Sequence, residues 1–111
     1  LVQVTLRVDR TGLLQECRSS GHSQTAPAGA DIVCASVSFL LRSAARALEG
    51  NSGIAVSGEA PGPGELVFRI DHCSGDCLGW LAGVGDLLMT GLSDLVREYP
   101  EAVGLKIEET R

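Results

Sequence analysis

The stretch LVQVTLRVDRTGLLQECRS, residues 1–19, decides the fold. Val2, Val4, Leu6 and Val8 alternate with Gln3, Thr5, Arg7 and Asp9. A period of two puts the apolar residues on one face, which predicts a half-buried strand. Asp9-Arg10-Thr11-Gly12 carries turn residues, and Gly12 takes positive φ without strain. A second strand is expected over residues 13–19, closing a hairpin. Cys17 falls in step with Leu13 and Gln15, so the pattern does not say which face it takes.

Outward from the hairpin, residues 19–30 are small and polar and are broken by Pro27 and Gly29, which predicts a loop. A helix is expected from Asp31, because Val33, Val37, Leu40, Leu41, Ala44 and Leu48 recur at helical spacing and Gly50 is placed to end it. Residues 54–56 read as a short strand. The Ala60-Pro61-Gly62-Pro63-Gly64 turn leads to a further strand, in which Leu66, Phe68 and Ile70 alternate with Val67, Arg69 and Asp71. Helical spacing returns over residues 76–99 with Leu81, Val84, Leu88, Leu92, Leu95 and Tyr99. Gly79, Gly83, Gly85 and Gly91 interrupt that helix, and close approach to a neighbouring element is their expected role. Pro100 stops it, and Val103, Leu105 and Ile107 form a last strand. The order ββαββαβ over residues 1–111 predicts one domain. Its class is α+β, a two-layer sandwich of a mainly antiparallel sheet and two helices.

Composition bounds the function. The 111 residues are 44% hydrophobic and 21% charged, the balance of a globular chain. Nine basic against fourteen acidic residues leave a net charge of -5, which argues against a protein that grips phosphates. Phe39, Phe68, Trp80 and Tyr99 are too few for a base-stacking platform. No apolar run approaches the ~20 residues of a spanning helix, and no basic-then-apolar leader opens the chain, whose first residue is Leu1. Reduced thiols are expected at Cys17, Cys34, Cys73 and Cys77, as in an intracellular chain.

One constellation carries chemistry: Ser20-Gly21-His22 in the loop, then Gly29 to Ser38 at the helix start. With Asp31 as N-cap, Cys34 would be the third helical residue, among backbone N–H groups that have no intrahelical acceptor. Such a position stabilises a thiolate, and those amides would suit an oxyanion. His22 would supply the base of a Cys–His pair. A cysteine in a helix is also commonly a small buried hydrophobe, and spacing alone leaves both readings open. His72-Cys73-Ser74-Gly75-Asp76-Cys77 has no second ligand cluster to complete a metal site. Gly79-x-x-x-Gly83 reads as helix packing.

Gly21-His22 together with Asp31-Ile32-Val33-Cys34-Ala35 and a Ser/Val-rich helix resembles the bacterial ribosomal-processing cysteine proteases, the Prp family. The resemblance covers nearly the whole chain. It implies a cytoplasmic, homodimeric cysteine endopeptidase with a Cys–His dyad and no cofactor, metal, membrane or nucleic-acid partner. Family members remove a short N-terminal extension from large-subunit ribosomal protein twenty-seven, cutting after paired aromatic residues. By position, Cys34 matches the nucleophile and His22 the general base. Asp31 matches the acidic residue before the nucleophile, Ser38 a serine one turn on, and Gly21 the glycine preceding the histidine. Ser23 stands where the family often has Ala. Asp31 either orients His22 or caps the helix. Ser38 either lines the core or back-bonds the helix, or else serves catalysis. The loop holding Ser23, Gln24 and Gly29, hinged at Gly21 and Gly29, is expected to close over the substrate. The alternative is a non-catalytic ribosome-assembly or RNA-contacting module on the same scaffold.

Overall fold

A computed structural model describes residues 1–21, 27–61 and 65–110, with backbone alone for residues 27–31. The opening alternation forms β1 (Val2–Val8) and pairs it antiparallel with β2 (Leu14–Ser20). Asp9 builds the turn between them: its Oδ1 accepts from the Thr11 N–H at 2.8 Å, the Thr11 hydroxyl at 2.6 Å and the Leu13 N–H at 3.1 Å. Gly12 sits at φ +88°, where a side chain would be strained.

A bulge settles the face of Cys17. Arg7 pairs with Glu16 but Val8 pairs with Leu14, so Gln15 is the extra residue. Leu14 and Cys17, three apart, therefore both point to the buried face. Burial pushes the Cys17 thiol up to about 12, with Glu16 adding to the shift, so this sulfur stays protonated.

Three further strands and two helices follow in the predicted order. These are α1 (Pro27–Glu49), β3 (Ile54–Glu59), β4 (Leu66–Cys73), α2 (Leu78–Glu98) and β5 (Val103–Glu109). The sheet order is β3-β4-β2-β1-β5, antiparallel except for the β1–β5 pair. β3 and β4 outrun the sequence pattern because they pair with each other, Ile54 with Cys73 and Ala55 with His72. A short 3-10 turn, Gly75–Cys77, leads into α2.

Both helices lie on one face of the sheet. Val33, Val37, Leu41, Ala44 and Leu48 from α1 meet Leu81, Val84, Leu88 and Leu92 from α2 over Val4, Leu6, Phe68 and Val103. The glycines of α2 divide. A Cβ on Gly91 would come within 2.7 Å of Leu40 Cδ2, so the helices do approach closely there. Among the described residues Gly79 and Gly83 have nothing within 4 Å of a Cβ, so the Gly79-x-x-x-Gly83 spacing packs against none of them.

The opposite face of the sheet is held by charge. Glu16 on β2 accepts from Arg69 Nε on β4 at 3.0 Å and lies 3.8 Å from both Arg7 and Arg18. Arg7 continues to Glu108 on β5, and Arg69 to Glu59 on β3, so the ladder crosses all five strands.

The Asp9 turn predicts a pH dependence. The Thr11 hydroxyl, and beyond it the backbone N–H groups of Leu13, Thr11 and Gly12, hold the Asp9 carboxyl below its ordinary 3.8. A depressed carboxyl contributes stability above its unfolded value and loses it as pH falls through the folded one. An NMR titration should place the Asp9 midpoint below 3.8, with the Thr11 amide shifting in step.

Candidate active site

The chain leaves β2 at Ser20, next to the start of β1 and, through the Ser19–Leu66 pair, beside the start of β4. From there α1 runs the length of the sheet to the start of β3 at the far end. Its first third therefore lies at the β2-exit end, and Cys34 lies in that third.

Gly21 makes the exit. Its φ is +88°, and a Cβ there would run into the Leu1 carbonyl oxygen. Both the dihedral and the contact demand glycine. His22, Ser23 and Gln24 lie outside the described residues.

The helix start differs from the sequence expectation. α1 begins at Pro27, four residues before Asp31. Proline at the first helical position has φ already set and no N–H to lose, and Ala28 and Ala30 are strong helix formers. Gly29 is thus a helical residue here and not a loop hinge. Asp31 is not the N-cap but lies inside the helix. Cys34 becomes the eighth helical residue, not the third. Its N–H and those just before it point to carbonyls one turn back, so the oxyanion role expected of them has no basis in this arrangement.

Cys34 is half-buried and packs against the core cluster. Ser38, one turn on, is exposed, which removes the core-lining role, and it is Ser36 that back-bonds the helix, to Ile32 O at 2.7 Å. Asp31 and Cys34 are three apart on one helix, a spacing that places them on neighbouring positions of its surface.

The other cysteines are elsewhere. Cys17 is fully buried beneath the helices. Cys73 and Cys77 are at the opposite end of the sheet. There Cys77 accepts from the Ser74 hydroxyl at 3.3 Å and donates to Asn51 Oδ1 at 3.1 Å. Burial, and then the proximity of Cys77, raise the Cys73 thiol. Cys34 is the one cysteine on the element that follows Gly21 and His22.

A groove that no sequence motif marks lies along α1. It has a volume of about 350 Å³ and separates Arg42 and Arg46 from the edge strand β3 and the start of β4. Its signal in the sequence is the four-residue step Cys34, Ser38, Arg42, Arg46 on a helix that is otherwise largely apolar.

The α+β sandwich is shared with solved structures. Streptococcus mutans SMU.848 superposes with a TM-score of 0.82 at 25% identity, over 99% of this chain and 96% of that one. The essential ribosomal processing protease Prp of Staphylococcus aureus, with a covalently linked product peptide, gives 0.80 at 21% identity, over 97% of this chain and 100% of that one. The same protease with a substrate peptide gives 0.79 at 19% identity and the same coverage, 97% and 100%. A search of curated proteins found no significant match. The family model for cysteine protease Prp matches residues 1–104, and the chain belongs to that family.

The geometry at Gly21 generates a prediction. Gly21→Ala places a side chain in the left-handed region, at a cost of about 1–2 kcal/mol before the overlap with Leu1 is added. Urea unfolding should show at least that loss of stability. An unchanged midpoint would overturn the requirement for glycine at this position.

Proposed function

We propose that this chain is a cysteine endopeptidase that removes a short N-terminal extension from large-subunit ribosomal protein twenty-seven, with Cys34 as nucleophile and His22 as general base. The observation that carries this reading is the family match over residues 1–104, taken with the position of Cys34 on the helix that follows Gly21-His22. The Staphylococcus aureus relative is a ribosomal processing protease seen with both a substrate peptide and a covalently linked product.

In the proposed mechanism a ring nitrogen of His22 takes the proton from Cys34 Sγ. The thiolate adds to the scissile carbonyl carbon, and the tetrahedral adduct collapses. The C–N bond breaks, and the leaving amine takes the proton from the His22 imidazolium. The extension is left as a thioester on Cys34. Water, deprotonated by His22, adds to the thioester, and the C–S bond breaks to release a carboxylate and restore the thiol. Asp31, three residues before the nucleophile, orients His22. The segment from Gly21 to Pro27, which includes Ser23 and Gln24, brings the base to Cys34 and closes over the peptide.

The working unit is a homodimer in the cytoplasm. Among the described residues no helix is long and apolar enough to cross a membrane. The outer face of the helix layer supports the dimer. Leu40, Ala44, Ala47, Trp80, Val84 and Leu87 line an apolar groove of about 260 Å³ between α1 and α2. Phe39, Leu87 and Trp80 stand 75%, 67% and 52% exposed around it. Apolar area concentrated in this way marks a contact surface.

Two experiments test these readings. The N-terminal peptide of the host's ribosomal protein twenty-seven should be cut once by wild type. Cys34→Ala and His22→Ala should each lower the rate by at least about a thousandfold, read by mass spectrometry and single-turnover kinetics. A cut that survives either substitution would remove that residue from the dyad. In sedimentation equilibrium, wild type should be a dimer and Leu87→Glu a folded monomer.

A further inference from the structure

We infer that the groove between α1 and β3 seats the substrate's extension as an extended strand, and that Arg42 and Arg46 read a carboxylate on it roughly four to five residues before the cut bond. The inference rests on the protease reading above and adds a substrate preference to it.

Position comes first. At about 100° per residue, Ser38, Arg42, Ala45 and Glu49 all fall within about 80° of Cys34 around the helix axis. Arg46 lies slightly further round. The groove is therefore a continuation of the surface that carries the nucleophile. Arg42 and Arg46 stand eight and twelve residues beyond Cys34, about 12 and 18 Å along the axis at ~1.5 Å per residue. An extended peptide advances ~3.3 Å per residue, so the two heights bracket roughly the fourth and fifth residues from the reacting carbonyl.

The opposite wall suits an extended chain. β3 pairs only with β4 and is an edge of the sheet, so one side of its backbone can accept another strand. Val56, Leu66 and Phe68 give the groove an apolar floor, and Ala45 keeps the helix wall low.

Charge supplies the selectivity. Among the described residues, Arg7, Arg18, Arg69, Arg97 and Lys106 all pair with carboxylates. Arg10, Arg42 and Arg46 have no such partner, and of these Arg42 and Arg46 line the groove. Of the two carboxylates that also line it, Glu59 is paired with Arg69 at 3.8 Å, and Glu49 lies at the end far from Cys34. Two guanidinium groups one helical turn apart, with donors unused, match a carboxylate side chain. A short N-terminal extension has a free end and can lie extended along the groove.

The test uses the N-terminal peptide of the host's ribosomal protein twenty-seven, labelled with fluorescein, in three forms. These carry Glu, Gln or Lys at the fourth and fifth positions before the cut. Binding is read by anisotropy on the Cys34→Ala protein, and cleavage on the otherwise wild-type enzyme. The Glu peptide should bind roughly five- to tenfold more tightly than the Gln peptide, as suits charge-assisted contacts. Adding Arg42→Glu and Arg46→Glu should reverse the order in favour of Lys, a gain that an unfolded variant cannot show. Equal binding of the three peptides, or an order that the double reversal leaves unmoved, overturns the inference. So does displacement of the Glu peptide by a short oligouridylate that binds the groove more tightly. A Glu preference that reverses as stated, without cleavage of any peptide by the wild-type enzyme, upholds the groove and ends the protease reading instead.

Discussion

Burial of one sheet face under two helices is the constraint on which the rest of the structure depends. Because β1, β2, β4 and β5 present their apolar residues to the same side, α1 has to cross that side from the exit of β2 to the entry of β3. This crossing puts the start of α1 beside Gly21 and its end beside Ser74 and Cys77. Cys34 is thereby separated by most of the length of the sheet from the two cysteines that might be confused with it. The bulge at Gln15 serves the same constraint. Without it, Leu14 and Cys17 would face opposite sides, and one of them would leave the core.

The two faces of the sheet are stabilised differently, and this shapes what the molecule can offer a partner. The covered face depends on apolar burial, with Leu6, Leu41, Leu48, Leu88 and Leu92 all but removed from solvent. The open face depends on the Glu16-centred ladder, in which carboxylates and guanidiniums neutralise each other across the strands. A neutralised face has little field to project. Arg42 and Arg46 on α1 are among the described basic residues with no carboxylate partner, and Phe39, Trp80 and Leu87 on the helices are among the exposed large apolar residues.

Glycine is used for opposite purposes at two places. At Gly21 a positive φ and the adjacent Leu1 carbonyl leave no room for a side chain. At Gly91 the missing side chain admits Leu40 from the other helix. Gly79 and Gly83 look the same in the sequence but face open space. Gly83 lies on α2 between Trp80 and Leu87, two of its exposed apolar residues.

Local periodicity was enough to give the element order, since a strand or an amphipathic helix writes its own burial pattern into its residues. The alternation of Val2 to Val8 and the helical spacing of Leu81 to Leu92 are of this kind, and the Gly21-His22 and Cys34 motifs led to the family directly. Other features depended on partners distant in sequence. The face of Cys17 was set by the bulge against β1. The extension of β4 to Cys73 required pairing with Ile54. The start of α1 at Pro27 moved Asp31 off the cap and Cys34 into the helix body, a choice between two reasonable starts that local spacing does not rank. The groove beside Arg42 and Arg46 exists only because β3 comes to lie at the sheet edge beside α1. Sequence determined which residues are apolar, which can turn and which can react; tertiary structure decided which of them meet, because a contact belongs to two segments and a pattern belongs to one.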